Sequence, residues 1–203
     1  MISILNYGLG NLNALCNVYK RLNIQVELVE KKEDLKHASK IILPGVGAYD
    51  NAMKMLNKSG MRDTIDRLVI EKKVRVLGIC VGMQIMGESS EEGKESGLAW
   101  VEGNVKHFRN EVSFKKLPIP HLGWNKIYLK DKSPLFNNLH SARFYYLHSY
   151  FFQCSNNNHI LAKTRYGLDF TSAFHKGNIF GVQFHPEKSH GYGSLLLKNF
   201  ASI

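Results

Sequence analysis

A cysteine bracketed by glycines and, a hundred residues downstream, a histidine two positions before a glutamate are the residues of this chain best suited to covalent chemistry. The stretch Val74 to Gln84 reads VRVLGICVGMQ. An apolar run passes through Gly78-Ile79-Cys80-Val81-Gly82 into a helical pattern, which places Cys80 on the turn between a strand and a helix. A nucleophile on such an elbow occupies a tight, strained turn, and the flanking glycines let the backbone pack closely. The start of the following helix favours a thiolate. On this stretch alone Cys80 could equally be a small buried core cysteine. A second stretch, Ile179 to Glu187 (IFGVQFHPE), ends an apolar strand with His185 and Glu187, which an extended backbone aims to one side. Thiol chemistry needs a base that takes a proton and returns it to the leaving group, and a carboxylate that fixes the imidazole tautomer. Cys80, His185 and Glu187 supply those roles in that order. Among the other histidines His148 is the next candidate base, and Asp169 or Glu88 could orient one.

Cleavage of an amide also requires N–H donors for the oxyanion of its tetrahedral intermediate. The run Ile41-Ile42-Leu43-Pro44-Gly45-Val46-Gly47 ends a buried strand in two glycines around a valine, so the N–H near Val46 can face a ligand, and the N–H of Val81 supplies a second. Taken alone, the run is also an ordinary strand-to-helix turn.

The elements that must position these groups follow from hydrophobic periodicity. Strands are expected at Ile2–Leu5, Ile24–Val29, Ile41–Leu43 and Val74–Ile79, with helices at Asn11–Leu22 and over Ala48–Lys72. This alternation signals a parallel sheet covered by helices. After Glu88 the pattern turns β-rich, with mixed or antiparallel strands expected at Lys126–Leu129, Tyr145–Gln153, His159–Lys163, Thr171–His175 and Ile179–Phe184, then a helix over Gly193–Ala201. No repeat or linker divides residues 1–203, so one α/β domain is expected.

The 203 residues are 44% hydrophobic and 22% charged, which argues against disorder or a fibrous rod. No apolar run is long enough to span a bilayer, and a cytoplasmic protein is expected. The net charge of +10 comes from lysines and arginines spread along the chain among acids, as on a solvated surface. A partner-facing patch is the next reading and nucleic acid the last. Cys16, Cys80 and Cys154 form no paired spacing, so neither a disulfide scaffold nor a zinc site is expected. Without a phosphate-cradling loop or clustered ligands, neither cofactor nor metal is expected.

At the P-G-x-G strand, the G-x-C-x-G-x-Q elbow and the H-P-E ending, the sequence resembles the class I, triad-type glutamine amidotransferases. Within them it is most similar to the glutaminase subunits of imidazole glycerol phosphate synthases, through Asn6-Tyr7-Gly8-Leu9-Gly10-Asn11, Pro120-His121-Leu122-Gly123-Trp124-Asn125, Tyr145 to Tyr150, and Gln183 to Ser189. The resemblance implies a flavodoxin-like α/β fold, a mostly parallel sheet flanked by helices with an added antiparallel portion. It implies that Cys80 attacks the side-chain amide of glutamine, with His185 as base and acid and Glu187 orienting it. Gly47, Gln84 and His148-Ser149-Tyr150 would line the glutamine pocket, the last three mainly through backbone groups. Asn11, Trp124, Tyr145 and Lys188 match positions facing a (β/α)8-barrel synthase subunit, which would form a heterodimer with this chain and receive its ammonia for histidine biosynthesis. The Lys188-Ser189-His190 ending and Phe170-Thr171-Ser172-Ala173 look more like a paralogous branch that supplies a sugar amidotransferase. The same residues would also suit a cysteine hydrolase acting alone or, were the triad degenerate, a regulatory module.

Overall fold

The computed structural model describes residues 1–111 and 117–203. Thirteen strands occur among them: β1 (Ile2–Leu5), β2 (Val26–Val29), β3 (Lys40–Leu43), β4 (Arg75–Ile79), β5 (Ser89–Ser90), β6 (Gly103–His107), β7 (His121–Lys126), β8 (Tyr128–Leu129), β9 (Arg143–His148), β10 (Tyr150–Cys154), β11 (Ile160–Tyr166), β12 (Leu168–Lys176) and β13 (Ile179–Val182). The α-helices are α1 (Leu12–Arg21), α2 (Tyr49–Lys58), α3 (Arg62–Asp66), α4 (Val81–Gln84) and α5 (His190–Ser202).

The main sheet runs β2-β1-β3-β4-β13-β12-β10-β6-β5, with β11 and β8 continuing from β12. Its first five strands are parallel. Their order reverses at β1, as in flavodoxin-like folds, where ligands bind beyond the carboxyl ends of the strands. Ile41, Ile42, Leu43, Val76 and Leu77 are wholly buried, as expected of strands covered on both faces. From β12 outward the pairing is mainly antiparallel. Strands β7 and β9 form a separate two-stranded ribbon.

Register explains why residues distant in sequence converge. Leu43 of β3 pairs with Gly78 of β4, and Ile79 of β4 pairs with Val182 of β13, all in parallel. Three neighbouring strands therefore end at one edge. The turns that follow them, Pro44–Gly47, Cys80–Gly82 and Gln183–His185, emerge side by side.

Several boundaries differ from the sequence expectation, each for a local reason. The long helix over Ala48–Lys72 is interrupted after Lys58, where Gly60 takes a left-handed turn (φ +70°), and resumes as α3 and a π-turn at Arg67–Glu71. The single strand expected over Tyr145–Gln153 is two, split at Ser149: β9 belongs to the ribbon and β10 to the main sheet. The last helix begins at His190, ahead of the expected Gly193. Strands β6 and β7 carry no strong alternation and were not anticipated.

The elbow depends on backbone-to-backbone packing. A Cβ added to Gly82 would overlap the Leu43 carbonyl oxygen, and one on Gly78 would come within 2.8 Å of the Met83 backbone. Gly82→Ala is therefore expected to cost about 2–3 kcal/mol of unfolding free energy. Gly191→Ala, in helix α5 with open space around it, should add about 0.5 kcal/mol. Denaturant titration of both variants checks the contrast.

Candidate active site

Cys80 sits immediately after β4 with φ +54° and ψ −112°, a conformation that a non-glycine residue adopts only when its surroundings enforce it. Here the Cys80 N–H donates to the Val182 carbonyl (2.8 Å), and the Cys80 carbonyl accepts from the N–H groups of Met83 (3.0 Å) and Gln84 (3.2 Å). The turn is thus tied to the neighbouring strand and to its own helix. The thiol is 4% exposed.

His185 hydrogen-bonds the Cys80 sulfur on one side of its ring. On the other, Nδ1 lies 2.9 Å from Glu187 Oε1. The backbone of His185 is clamped as well. Its N–H donates to the Tyr145 carbonyl (2.9 Å), its carbonyl accepts from Ser189 Oγ (2.6 Å), and Ser189 Oγ accepts from the Tyr145 N–H (3.0 Å). Burial opposes a charged imidazole here, but the negative sulfur of Cys80 and its hydrogen bond, then those of Glu187, outweigh it and lift His185 to about 10. The ring therefore holds its proton more tightly than a free imidazole does. Burial pushes the thiols of Cys16 and Cys154, both away from the cleft, up.

The sulfur opens into a cleft of about 670 Å³ whose wall includes Val46, Gly47, Val81 and Gln84. Gly45 packs its backbone against Val81 and Gly82, so the Pro44–Gly47 strand lies directly on the elbow. The Tyr7 hydroxyl donates to the Pro44 carbonyl at 2.5 Å and anchors that strand from beyond the end of β1. Burial, and then the charge of Cys80, push the Tyr7 hydroxyl well above the ordinary tyrosine range. Gln84 Nε2 donates to the Tyr150 carbonyl (2.9 Å) and to Gln183 Oε1 (3.1 Å). His148, Ser149 and Tyr150 close the far side of the cleft.

His148 is adjacent to the triad but is not available as its base. His148 Nδ1 is 2.8 Å from the Tyr150 carbonyl, an obligate acceptor, and His148 Nε2 is 2.9 Å from His121 Nδ1. Both ring nitrogens are occupied. Burial, then the neighbouring His121 and His185, push His148 down to about 3, and burial pushes His121 down to about 4. Glu88 and Asp169 do not line the cleft.

Trp124, Tyr145 and Lys188 form a cluster at the rim. Trp124, 38% exposed, meets Tyr145 edge-on at 6.2 Å, and Lys188 Nζ stands 5.6 Å from the centre of the Tyr145 ring. Asn11 and Lys188 border the cleft itself. His190, unusual in the K-S-H ending, stacks on Trp124 with ring centroids 5.2 Å apart and planes within 8°.

Two residues at the site escaped the sequence reading. Glu92 lines the cleft, with Oε2 accepting from the Tyr49 N–H (2.9 Å), and burial raises its carboxyl. It lies in an acidic stretch, Glu91-Glu92, with no periodicity or neighbouring motif to single it out. Gln183 is wholly buried with Nε2 3.8 Å from the Cys80 sulfur. Its place inside the H-P-E strand made it look like structure alone.

Comparison with known proteins agrees with this geometry. The family model for class I glutamine amidotransferases matches residues 3–202. A solved structure described as a glutamine amidotransferase superposes with a TM-score of 0.76 at 20% identity, covering 100% of this chain and 99% of its own. The chain belongs to the class I glutamine amidotransferase family, and its enzyme class is that of a glutaminase. Within the family it is 52% identical to the imidazole glycerol phosphate synthase subunit HisH of Bdellovibrio bacteriovorus and 50% identical to that of Leptospira interrogans, in each case over 100% of both chains.

The neutral histidine pair generates a prediction about acid stability. Folded-state values of about 4 and about 3, below the unfolded value of about 6.5, mean that the unfolded chain binds the extra protons. Stability from this source is complete above about pH 6.5 and is lost as pH falls toward 4, by up to about 1.4 kcal/mol per pH unit for each ring. The pair should cost about 3–4 kcal/mol between pH 7 and pH 5, His185 with its raised value returns about 1, and denaturant unfolding should show a net loss of about 2–3 kcal/mol at pH 5. Equal stabilities would show that the pair is not buried and neutral.

Proposed function

We propose that this chain is the glutaminase subunit of a cytoplasmic imidazole glycerol phosphate synthase, releasing ammonia from glutamine and passing it to a (β/α)8-barrel subunit in a heterodimer. The observation that carries the reading is the line of sulfur, imidazole and carboxylate at Cys80, His185 and Glu187, opening into a cleft with room for glutamine. A degenerate-triad module would lack it. The full-length relatives' shared name favours the nucleotide acceptor over a sugar acceptor.

In this mechanism the Cys80 thiolate attacks the side-chain carbonyl carbon of glutamine. The carbonyl oxygen becomes an oxyanion held by the N–H groups at Val46 and Val81. As the tetrahedral intermediate collapses, the C–N bond breaks and the His185 imidazolium gives its proton to the departing nitrogen, producing ammonia and a glutamyl thioester. The now neutral ring takes a proton from water, whose oxygen attacks the thioester. The C–S bond breaks, and glutamate leaves with the thiolate and imidazolium restored. Glu187 holds the Nδ1–H throughout. Gln84 and the backbone of His148-Ser149-Tyr150 shape the pocket with Gly47, where positive φ (+92°) and open space above the Cα leave room for substrate. Glu92 faces the α-ammonium of glutamine, which makes it a specificity group for an amino-acid substrate.

The ribbon β7–β9 supports the assignment of the partner face. Leu122, 60% exposed, together with Leu147 and Trp124, leaves apolar surface beside the cleft, bordered by the Lys188 cation. Asn11 and Tyr145 belong to the same face in this reading, and ammonia crosses it into the barrel.

Cys80→Ala should reduce ammonia release by about a thousandfold or more while leaving binding of glutamine intact. Glu92→Gln should raise KM for glutamine about tenfold with kcat changed less than about threefold. A coupled glutamate assay, with and without the barrel subunit, reads both, and turnover should rise when the subunit is added. Unchanged hydrolysis in Cys80→Ala would refute the mechanism. Failure of the barrel subunit to co-elute or accelerate turnover would refute the partner.

A further inference from the structure

We propose that Gln183, outside the triad, is a positioning residue for the nucleophile: hydrogen bonds that start from the Tyr150 carbonyl and pass through Gln84 fix its amide so that its N–H points at the Cys80 sulfur. The proposal rests on Cys80 being the glutaminase nucleophile.

The direction of the chain follows from a single group that can only accept. The Tyr150 carbonyl receives Gln84 Nε2 at 2.9 Å and His148 Nδ1 at 2.8 Å. Gln84 must therefore present its NH₂ to this side of the cleft, and the second N–H of that NH₂, 3.1 Å from Gln183, requires an oxygen there. That fixes the Gln183 amide with Oε1 toward Gln84 and Nε2 toward the sulfur, 3.8 Å away. An amide can otherwise be turned over at little cost, since its two ends are nearly the same size. In the other direction, a proton on His148 Nδ1 leaves His148 Nε2 bare. It must then accept from His121 Nδ1, and His121 Nε2 in turn accepts from Asn125 Nδ2 at 3.4 Å. Each step has one permitted polarity as long as both rings are neutral.

Gln183 has little freedom to move away. Its own N–H donates to the Ser172 carbonyl at 2.9 Å, and the residue is wholly buried. A donor held beside a nearly buried sulfur favours the thiolate, because an anionic sulfur accepts a hydrogen bond far better than a thiol does. The donor also restrains the sulfur laterally between the imidazole of His185 and the oxyanion donors. The titratable groups that feel the sulfur's charge are His185 and, from the end of β1, Tyr7. His148 and Glu187 act on it through His185. Gln183 is the uncharged member of this surround, so its contribution is separable from theirs by substitution.

The test uses the intact chain and two variants of similar shape. Gln183→Met removes donor and acceptor, and Gln183→Glu keeps the acceptor that Gln84 requires but removes the amide donor. Alkylation of Cys80 by iodoacetamide is followed by peptide mass spectrometry across pH, a readout that needs neither turnover nor partner. The pH of half-maximal reactivity should rise by about half to one unit in Gln183→Met and at least as far in Gln183→Glu. In glutamine hydrolysis, kcat should fall about tenfold with KM within about threefold. A folded variant whose alkylation profile superimposes on that of the unsubstituted chain would overturn the proposal, as would a defect confined to KM. If Gln183→Met fails to fold, Gln183→Glu reads the same shift. The shift without any glutamine hydrolysis by the unsubstituted chain would sustain the positioning role while sinking the glutaminase reading.

Discussion

The pairing of the Cys80 sulfur with the His185 imidazole, both nearly buried, is the interaction on which this molecule turns. Two charges taken out of water are costly unless their attraction and further hydrogen bonds compensate, and removal of either partner leaves the other stranded. Cys80 and His185 are 4% and 3% exposed, yet the balance at His185 favours the charged ring because sulfur and carboxylate flank it. The second oxygen of Glu187 is buried without a partner among the described residues. Glu187 is therefore tied to the ring through one of its two oxygens alone. The site concentrates charge where amide cleavage requires it and lets the surrounding backbone bear the desolvation.

That backbone is arranged by strand ends rather than by loops. Parallel pairing of β3, β4 and β13 delivers three turns to one edge, and glycine at positions 45, 78 and 82 lets them lie against one another without intervening side chains. The strained φ of Cys80 is the consequence of satisfying both neighbours at once. Tyr7 adds a fourth strand end to the same edge by holding the Pro44 carbonyl. The antiparallel half of the sheet contributes differently. The separate β7–β9 ribbon packed beside it holds the backbone of His185 through Tyr145 and, on its outer side, shows Trp124 and Leu122 to solvent. The ribbon that holds the His185 backbone thus also carries the surface proposed to meet a partner.

The juxtaposition of Cys80, His185 and Glu187 was legible in the sequence because apolar strands with clear boundaries precede both the elbow and the H-P-E turn. The parallel half of the sheet was legible for the same reason: Ile41-Ile42-Leu43 and Val76-Leu77 are short, wholly apolar and stopped by glycine or proline. Less could be read where tertiary contacts override local pattern. Residues 145–153 are continuously β-prone, so nothing local marks Ser149 as the point where the chain leaves one sheet for another. Helical periodicity runs through Ser59-Gly60 although the glycine ends the helix. His121 carries no sign in sequence that it pairs with His148, and the role of Glu92 depends on a loop returning to the cleft. Gln183 was visible as a letter of a motif, but its donor direction follows only once the Tyr150 carbonyl is in place.

The central claim is a covalent one, and the most direct measurement is to look for the covalent species. Rapid acid quench of the chain turning over glutamine, followed by peptide mass spectrometry, should find a glutamyl adduct on the peptide carrying Cys80 and none on those carrying Cys16 or Cys154. The adduct should form far more slowly when His185 is replaced by glutamine. Steady release of ammonia with no adduct at Cys80, or with an adduct on another thiol, would contradict the account.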